Sequence, residues 1–173
     1  MNRRVLSPLS RLLPIGLLAW AALLGAGCTR QIGDTCKTNL DCNVTISNAF
    51  CDLASPQGYC TIEGCDATSC PDGSTCVRFF TLRRGDGTCD ASHPCRTGER
   101  CLCDDEACTR AYCASESSER RWCMHRCEVD GHCREGYSCR ASDQGGAVSV
   151  TRRGDDGVPY SPIERFCAPA PRS

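Results

Sequence analysis

Apolar positions in this chain fall into two regimes. From Leu12 to Leu24 they are nearly continuous, interrupted only by Pro14 and Gly16, and Arg3, Arg4 and Arg11 precede them. Gly25, Ala26 and Gly27 then supply small residues before Cys28. Beyond that point large apolar side chains are sparse. Phe50, Phe79, Phe80, Trp122 and Phe166 are the heaviest, and no long amphipathic stretch surrounds them. What remains predicts short elements. Val77 to Leu82 is rich in β-branched and aromatic residues and reads as a strand, with a turn over Arg83 to Gly87. Ala147 to Thr151 and Val158 to Tyr160 flank Arg152 to Gly157 as a second hairpin. Ser117 to Trp122 reads as one helical turn capped by Ser117. The expected fold is small and disulfide-rich: tandem short modules, mostly loops with short β-hairpins and little helix.

A basic start, an apolar run and small residues read as a secretory signal peptide over residues 1–27. The apolar run is shorter than the roughly 20 residues of a membrane-spanning helix. The end of the leader resembles a bacterial lipoprotein signal, whose final cysteine receives a diacylglycerol thioether before the leader is removed. Ala26 and Gly27 fit that pattern, whereas Leu24 lies one place earlier than the family's usual leucine. The resemblance implies lipidation of Cys28. Thr29 stands where the enteric inner-membrane signal has Asp, which implies the outer membrane or cell surface. An acylated N-terminus is a membrane partner in itself. The alternative is ordinary cleavage nearby, leaving Cys28 as a free or intermolecularly paired thiol.

Loss of the leader leaves 146 of the 173 residues and removes three arginines but no acid, so the net charge moves from −1 to −4. Lys37 is the single lysine among nineteen arginines. No net basic footprint exists, which argues against a nucleic-acid partner.

Cysteine dominates the remainder. Setting Cys28 aside leaves eighteen, an even number. So little apolar surface cannot offset the chain's conformational entropy unaided. Disulfides must do so, each worth roughly 2–4 kcal/mol. This requires an oxidising compartment.

One spacing recurs, with glycine midway between two cysteines: Cys70-Gly73-Cys76, Cys95-Gly98-Cys101 and Cys133-Gly136-Cys139. Each is preceded by a further cysteine, at Cys65, Cys89 and Cys127, and Cys36, Cys42 and Cys51 form a looser copy. Glycine at a fixed place suggests a turn with positive φ. The chain therefore divides into a lipidated N-terminus and tether, 28–35, and four modules: 36–60, ending at Cys60, then 61–88, 89–123 and 124–173, the last closing with Cys167. Cys89 can end the second module or begin the third. Cys101, Cys103, Cys108, Cys113 and Cys123 fit no simple repeat. Pairing of first with third and second with fourth cysteine is preferred, though spacing alone does not fix connectivity.

Cys36 to Cys42, Cys89 to Cys101, and Cys127 to Cys133 with Gly136 and Cys139 resemble the dickkopf N-terminal cysteine-rich module, over about half of the chain. In animals such modules bind receptors and carry no chemistry. No receptor-contact motif is present, so the resemblance implies a type of module and not a partner. With its leader, the chain looks more like the surface lipoproteins of high-GC bacteria.

Candidate chemistry is thin. Cys101 with Cys103, Cys123-Met124-His125-Arg126-Cys127 and His132-Cys133 crowd thiols and imidazoles together, but no paired array of zinc clusters is present. Asp104-Asp105-Glu106 and Asp155-Asp156 lack the alternating oxygen ligands of an EF-hand loop. No metal or cofactor is expected. His93, His125 and His132 are the only histidines. Neither a nucleophile elbow nor a phosphate loop occurs, so no catalytic residues are assigned.

Two Arg-Gly-Asp triplets, Arg84-Gly85-Asp86 and Arg153-Gly154-Asp155, look like the animal cell-adhesion ligand and are also good hairpin-turn sequences. The expected function is therefore non-enzymatic: binding or structure at the envelope, toward an unknown protein or glycan. The loops favoured for contact are Leu82 to Gly87 and Val150 to Tyr160, with Arg84, Asp86, Arg153 and Asp155 as binding residues. The alternative is an inhibitor of a secreted protease, with Arg84 or Arg153 as its specificity residue.

Overall fold

The computed structural model describes residues 29–83, 88–105 and 107–170. Cys28, Arg84 and Asp86 lie outside the described residues. Within them the chain forms one helical turn, α1 (Leu40–Asn43), and eleven short strands: β1 (Phe50–Asp52), β2 (Tyr59–Thr61), β3 (Ser74–Phe79), β4 (Glu99–Cys103), β5 (Ala111–Ser115), β6 (Arg120–His125), β7 (Tyr137–Ala141), β8 (Ala147–Ser149), β9 (Arg152–Arg153), β10 (Pro159–Tyr160) and β11 (Arg165–Pro169). All pairings are antiparallel: β1 with β2, β4 with β5, β7 with β11, β9 with β10, and a three-stranded sheet in the order β6-β3-β8. The fold is disulfide-rich, mostly strands and loops.

One unit recurs four times. Its first cysteine bonds to its third: Cys36–Cys51, Cys65–Cys76, Cys89–Cys101 and Cys127–Cys139. Its second bonds to its fourth: Cys42–Cys60, Cys70–Cys123, Cys95–Cys113 and Cys133–Cys167. The third and fourth cysteines are direct cross-strand partners each time: Cys51 with Cys60, Cys76 with Cys123, Cys101 with Cys113 and Cys139 with Cys167. Each unit is thus an antiparallel ribbon with its two facing cysteines tied back to the segment before it. A ninth bond, Cys103–Cys108, stands outside this scheme. So dense a set of disulfides belongs to an oxidising compartment.

A four-residue turn opens each ribbon. The N–H groups of Ser74, Glu99 and Tyr137 donate to the carbonyls of Pro71, Arg96 and Arg134. The third turn residue is Gly73, Gly98 or Gly136, with φ of 75°, 81° and 81°. The looser first copy makes the same turn. Ala49 N–H donates to Ile46 O, and Asn48, three residues before Cys51, has φ 63°. Asparagine is among the few residues with a side chain that tolerate this region.

The units are not serial. Cys123, which the sequence places at the end of 89–123, closes the unit begun at Cys65, so the third unit sits inside the ribbon of the second. The Cys70–Cys123 bond and the β3–β6 pairing cross the expected division between residues 88 and 89.

Three local expectations change. The strand expected over 77–82 begins earlier, at Ser74, and ends at Phe79. The helical turn expected over 117–122 is shorter and starts one residue earlier, with Ser115 and not Ser117 at its N-cap. A 3₁₀ turn covers Glu116–Ser118, and the chain then extends into β6 because Val77 pairs with Trp122 and Cys76 with Cys123. Strand β8 leaves the expected second hairpin to pair with β3, burying Ala147 and Ser149; only β9 and β10 form that hairpin. Partners distant in sequence override local propensity here.

The first, second and fourth units share one core, in which Ile32, Tyr59, Val77, Met124, Tyr137 and Phe166 join the buried cysteines. Phe79 meets Phe166 edge-on at 5.7 Å, and Phe50 meets Trp122 at 5.6 Å. The third unit is attached through bridges from Leu82 to Ala114 and from Thr88 to Tyr112. Arg100 lies over Phe80 at 5.2 Å from the ring centre.

Candidate functional site

The β9–β10 hairpin carries the two expected binding residues that fall within the described chain. Its root is fixed from several sides. Val150 is buried in the core. The Arg152 guanidinium lies 2.8 Å from the Glu164 carboxylate, which Arg126 also approaches at 3.4 Å. The Ser149 hydroxyl donates to the Ser142 hydroxyl at 2.7 Å in the interior, and Ser142 Oγ accepts the Glu164 N–H.

Beyond this root the chain turns tightly. Gly154 N–H donates to Val158 O and Gly157 N–H to Gly154 O, both at 2.9 Å. The Asp156 carboxylate accepts the Val158 N–H. Gly157 has φ 77°. Arg153 and Asp155 are exposed. Arg153 pairs through its backbone with Pro159, and its guanidinium folds toward Gly157 O at 3.3 Å. Arg153, Asp155, Asp156, Val158 and Tyr160 border one shallow depression.

Val158, Tyr160 and nearby Ile163 are also exposed, by 57%, 49% and 68%. Val158 and Tyr160 lie within the loop favoured for contact but were not singled out as binding residues, and Ile163 lies beyond it. A tyrosine and two aliphatic residues beside a charged turn were the available signal. Alternation alone places them neither inside nor outside.

The other candidates disperse. The thiols considered for zinc are consumed: Cys101, Cys103, Cys123, Cys127 and Cys133 are each bonded to a distant or local partner. The sulfur groups that come close together, such as Cys36, Cys42 and Cys60, belong to adjacent disulfides. His93 is exposed and caps onto Asp90, His125 N–H donates to Tyr59 Oη, and His132 Nδ1 accepts the Glu128 N–H. Asp105 is engaged by Thr109, whose hydroxyl and N–H hold its carboxyl below the ordinary range.

A second concavity of about 290 Å³ lies between Tyr59, Phe79, Trp122 and Met124, with Asp52 at its rim. Asp52 is held locally, accepting bonds from Ala54 N–H and Ser55 Oγ–H, and the remaining lining is mostly apolar.

No protein family, curated protein or solved structure matches the chain. The class rests on the fold: a disulfide-stapled, strand-and-loop protein of an oxidising compartment.

Proposed function

We propose that this is a non-enzymatic, exported binding protein, anchored to the outer membrane or cell surface by a lipid on Cys28, which presents the β9–β10 hairpin to an extracellular protein or glycan. The observation that carries this reading is the combination of exposed Arg153, Asp155, Val158 and Tyr160 with a root pinned by Arg152, Glu164, Ser142 and Ser149. Tyrosine and arginine are the side chains that most often dominate binding energy. A loop held rigid before contact loses little entropy on contact. The leader and its resemblance to a lipoprotein signal support the anchor.

Two experiments test it. Intact mass of membrane-extracted protein, alkylated before and after reduction, is expected to show a lipidated chain starting at Cys28, with eighteen cysteines protected until reduction. An unlipidated mass removes the anchor. Binding of the soluble body to arrays of matrix proteins and glycans is expected to fall at least tenfold in the Arg153→Ala, Tyr160→Ala double variant. Unchanged binding removes the hairpin. Of the two candidate specificity residues of the inhibitor reading, Arg84 lies outside the described residues and Arg153 folds its guanidinium back toward Gly157 O at 3.3 Å. Nanomolar inhibition of a trypsin-like enzyme, lost in Arg84→Ala or Arg153→Ala, would favour the inhibitor.

A further inference from the structure

Eight of the nine disulfides have at least one cysteine that is 8% exposed or less. In Cys103–Cys108 neither cysteine is buried; Cys108 is exposed and Cys103 half-buried. We propose that this bond is an exchangeable disulfide, the site at which the folded protein accepts an external thiol.

Three further observations converge on it. The bond lies outside the repeat that builds the four ribbons. Its sequence separation of 5 is the smallest of the nine, against 53 for Cys70–Cys123, so it restricts the unfolded chain least. The same linkage read in reverse means that the fold holds this bond closed less firmly than it holds the others. Cys108 also has φ 50°, a left-handed backbone disfavoured for a residue with a Cβ.

The hairpin does not need the bond to keep its shape. Leu102 pairs with Tyr112 and Cys103 with Ala111, Asp104 N–H donates to Arg110 O at 2.8 Å, and Thr109 N–H donates to Asp105 Oδ1 at 2.8 Å. The two sulfurs therefore stay adjacent after reduction, and closure is intramolecular.

The chemistry balances with an external thiol as the sole co-reactant. Its thiolate attacks Sγ of Cys108, the more exposed of the two residues. A new S–S bond forms there, the Cys103–Cys108 bond breaks, and Cys103 leaves as thiolate and takes a proton. Attack by a second external thiol on the mixed disulfide releases an oxidised thiol dimer and leaves two protein thiols. Alternatively, Cys103 thiolate attacks Cys108 Sγ, expels the external thiol and restores the starting bond.

The test uses the full chain with glutathione near neutral pH, trapping by alkylation at successive times and mapping of the labelled cysteines. The expected result is that Cys103 and Cys108 become labelled at least about tenfold faster than any other of the eighteen disulfide-bonded cysteines, with unchanged far-ultraviolet circular dichroism. First labelling elsewhere, or concerted release of all eighteen thiols, overturns the proposal. The Cys103→Ala, Cys108→Ala variant is expected to lose the fast phase and keep the slow one. A fast phase that persists in that variant also overturns it.

Discussion

Cys70 is bonded to Cys123, 53 positions along the chain, and that one link makes the third unit an insertion within the second. The insertion enters and leaves at neighbouring points. Phe79 pairs with Arg120, and Thr81 N–H donates to Ser118 Oγ at 3.1 Å. Replacing residues 81–118 by Asn-Gly, a favoured two-residue hairpin turn, is therefore expected to leave the remaining body folded. Non-reducing alkylation and mass measurement should find the bonds at Cys36, Cys42, Cys65, Cys70, Cys127 and Cys133 intact, with no free thiol in the body. Free Cys70 and Cys123 would show instead that the inserted unit directs their pairing.

The repeated turn makes a graded prediction. A Cβ added at Gly73, Gly98 or Gly136 meets nothing within 4 Å, so Gly→Ala costs only the positive φ, about 1–2 kcal/mol at each site. Asn48→Gly should be neutral or slightly stabilising. Asn48→Val should cost about as much as the alanine substitutions or more, because β-branched residues are poorly tolerated there. Gly58→Ala differs in kind. Its Cβ would lie 2.1 Å from Cys36 O, so a loss above about 3 kcal/mol is expected. Denaturant unfolding with the disulfides intact measures all six variants.

Arg134 ties the fourth unit to the first. Its guanidinium lies 4.1 Å from the Tyr137 ring centre and 5.6 Å from that of Tyr59, and donates to Pro56 O at 2.9 Å and Gly58 O at 2.5 Å. Arg134→Ala should cost roughly 1–3 kcal/mol, from lost charge-assisted hydrogen bonds and ring contact. Arg134→Lys should recover only part of this, since an ammonium cannot stack as a plane. Amide exchange at Gln57 and Gly58 is expected to accelerate in both variants, while residues 99–115 keep wild-type protection.

Acid should loosen particular turns before the core. Asp41 accepts the N–H groups of Lys37 and Thr38 at 2.7 and 2.9 Å, and these bonds hold its carboxyl below the ordinary 3.8. Asp66, bonded by Thr68, and Asp90, bonded by Ser92 and His93, are depressed likewise. A depressed folded value means that the stabilisation is present above the unfolded value and lost as pH falls through the folded one. Carboxyl titration followed by nuclear magnetic resonance should give Asp41 a midpoint below 3.8. Asp41→Asn should abolish the acid-dependent change in Lys37 and Thr38 amide exchange. An ordinary midpoint for Asp41 would show that the two hydrogen bonds do not persist in solution.

The sequence by itself determined the class of this protein and the chemistry of its turns. A chain with few large apolar residues and eighteen cysteines beyond Cys28 must be stapled, and glycine at a fixed place between cysteines requires a left-handed turn residue. Both are local or compositional constraints, so they survive without knowledge of what lies nearby in space. Asn48 escaped because three additional residues separate it from Cys42, and only the hydrogen bond from Ala49 to Ile46 reveals its equivalence to the glycines. Tertiary structure alone decided that Cys123 closes the second unit, that β8 joins β3 and not the hairpin, and that residues 120–125 extend. Each depends on a partner chosen from far along the chain, and equal spacing among identical thiols carries no record of that choice. The same holds for the exposed face at Val158 and Tyr160. Burial is a property of the assembled surface, set here by the docking of Val150 and the pinning of Glu164 beneath the hairpin.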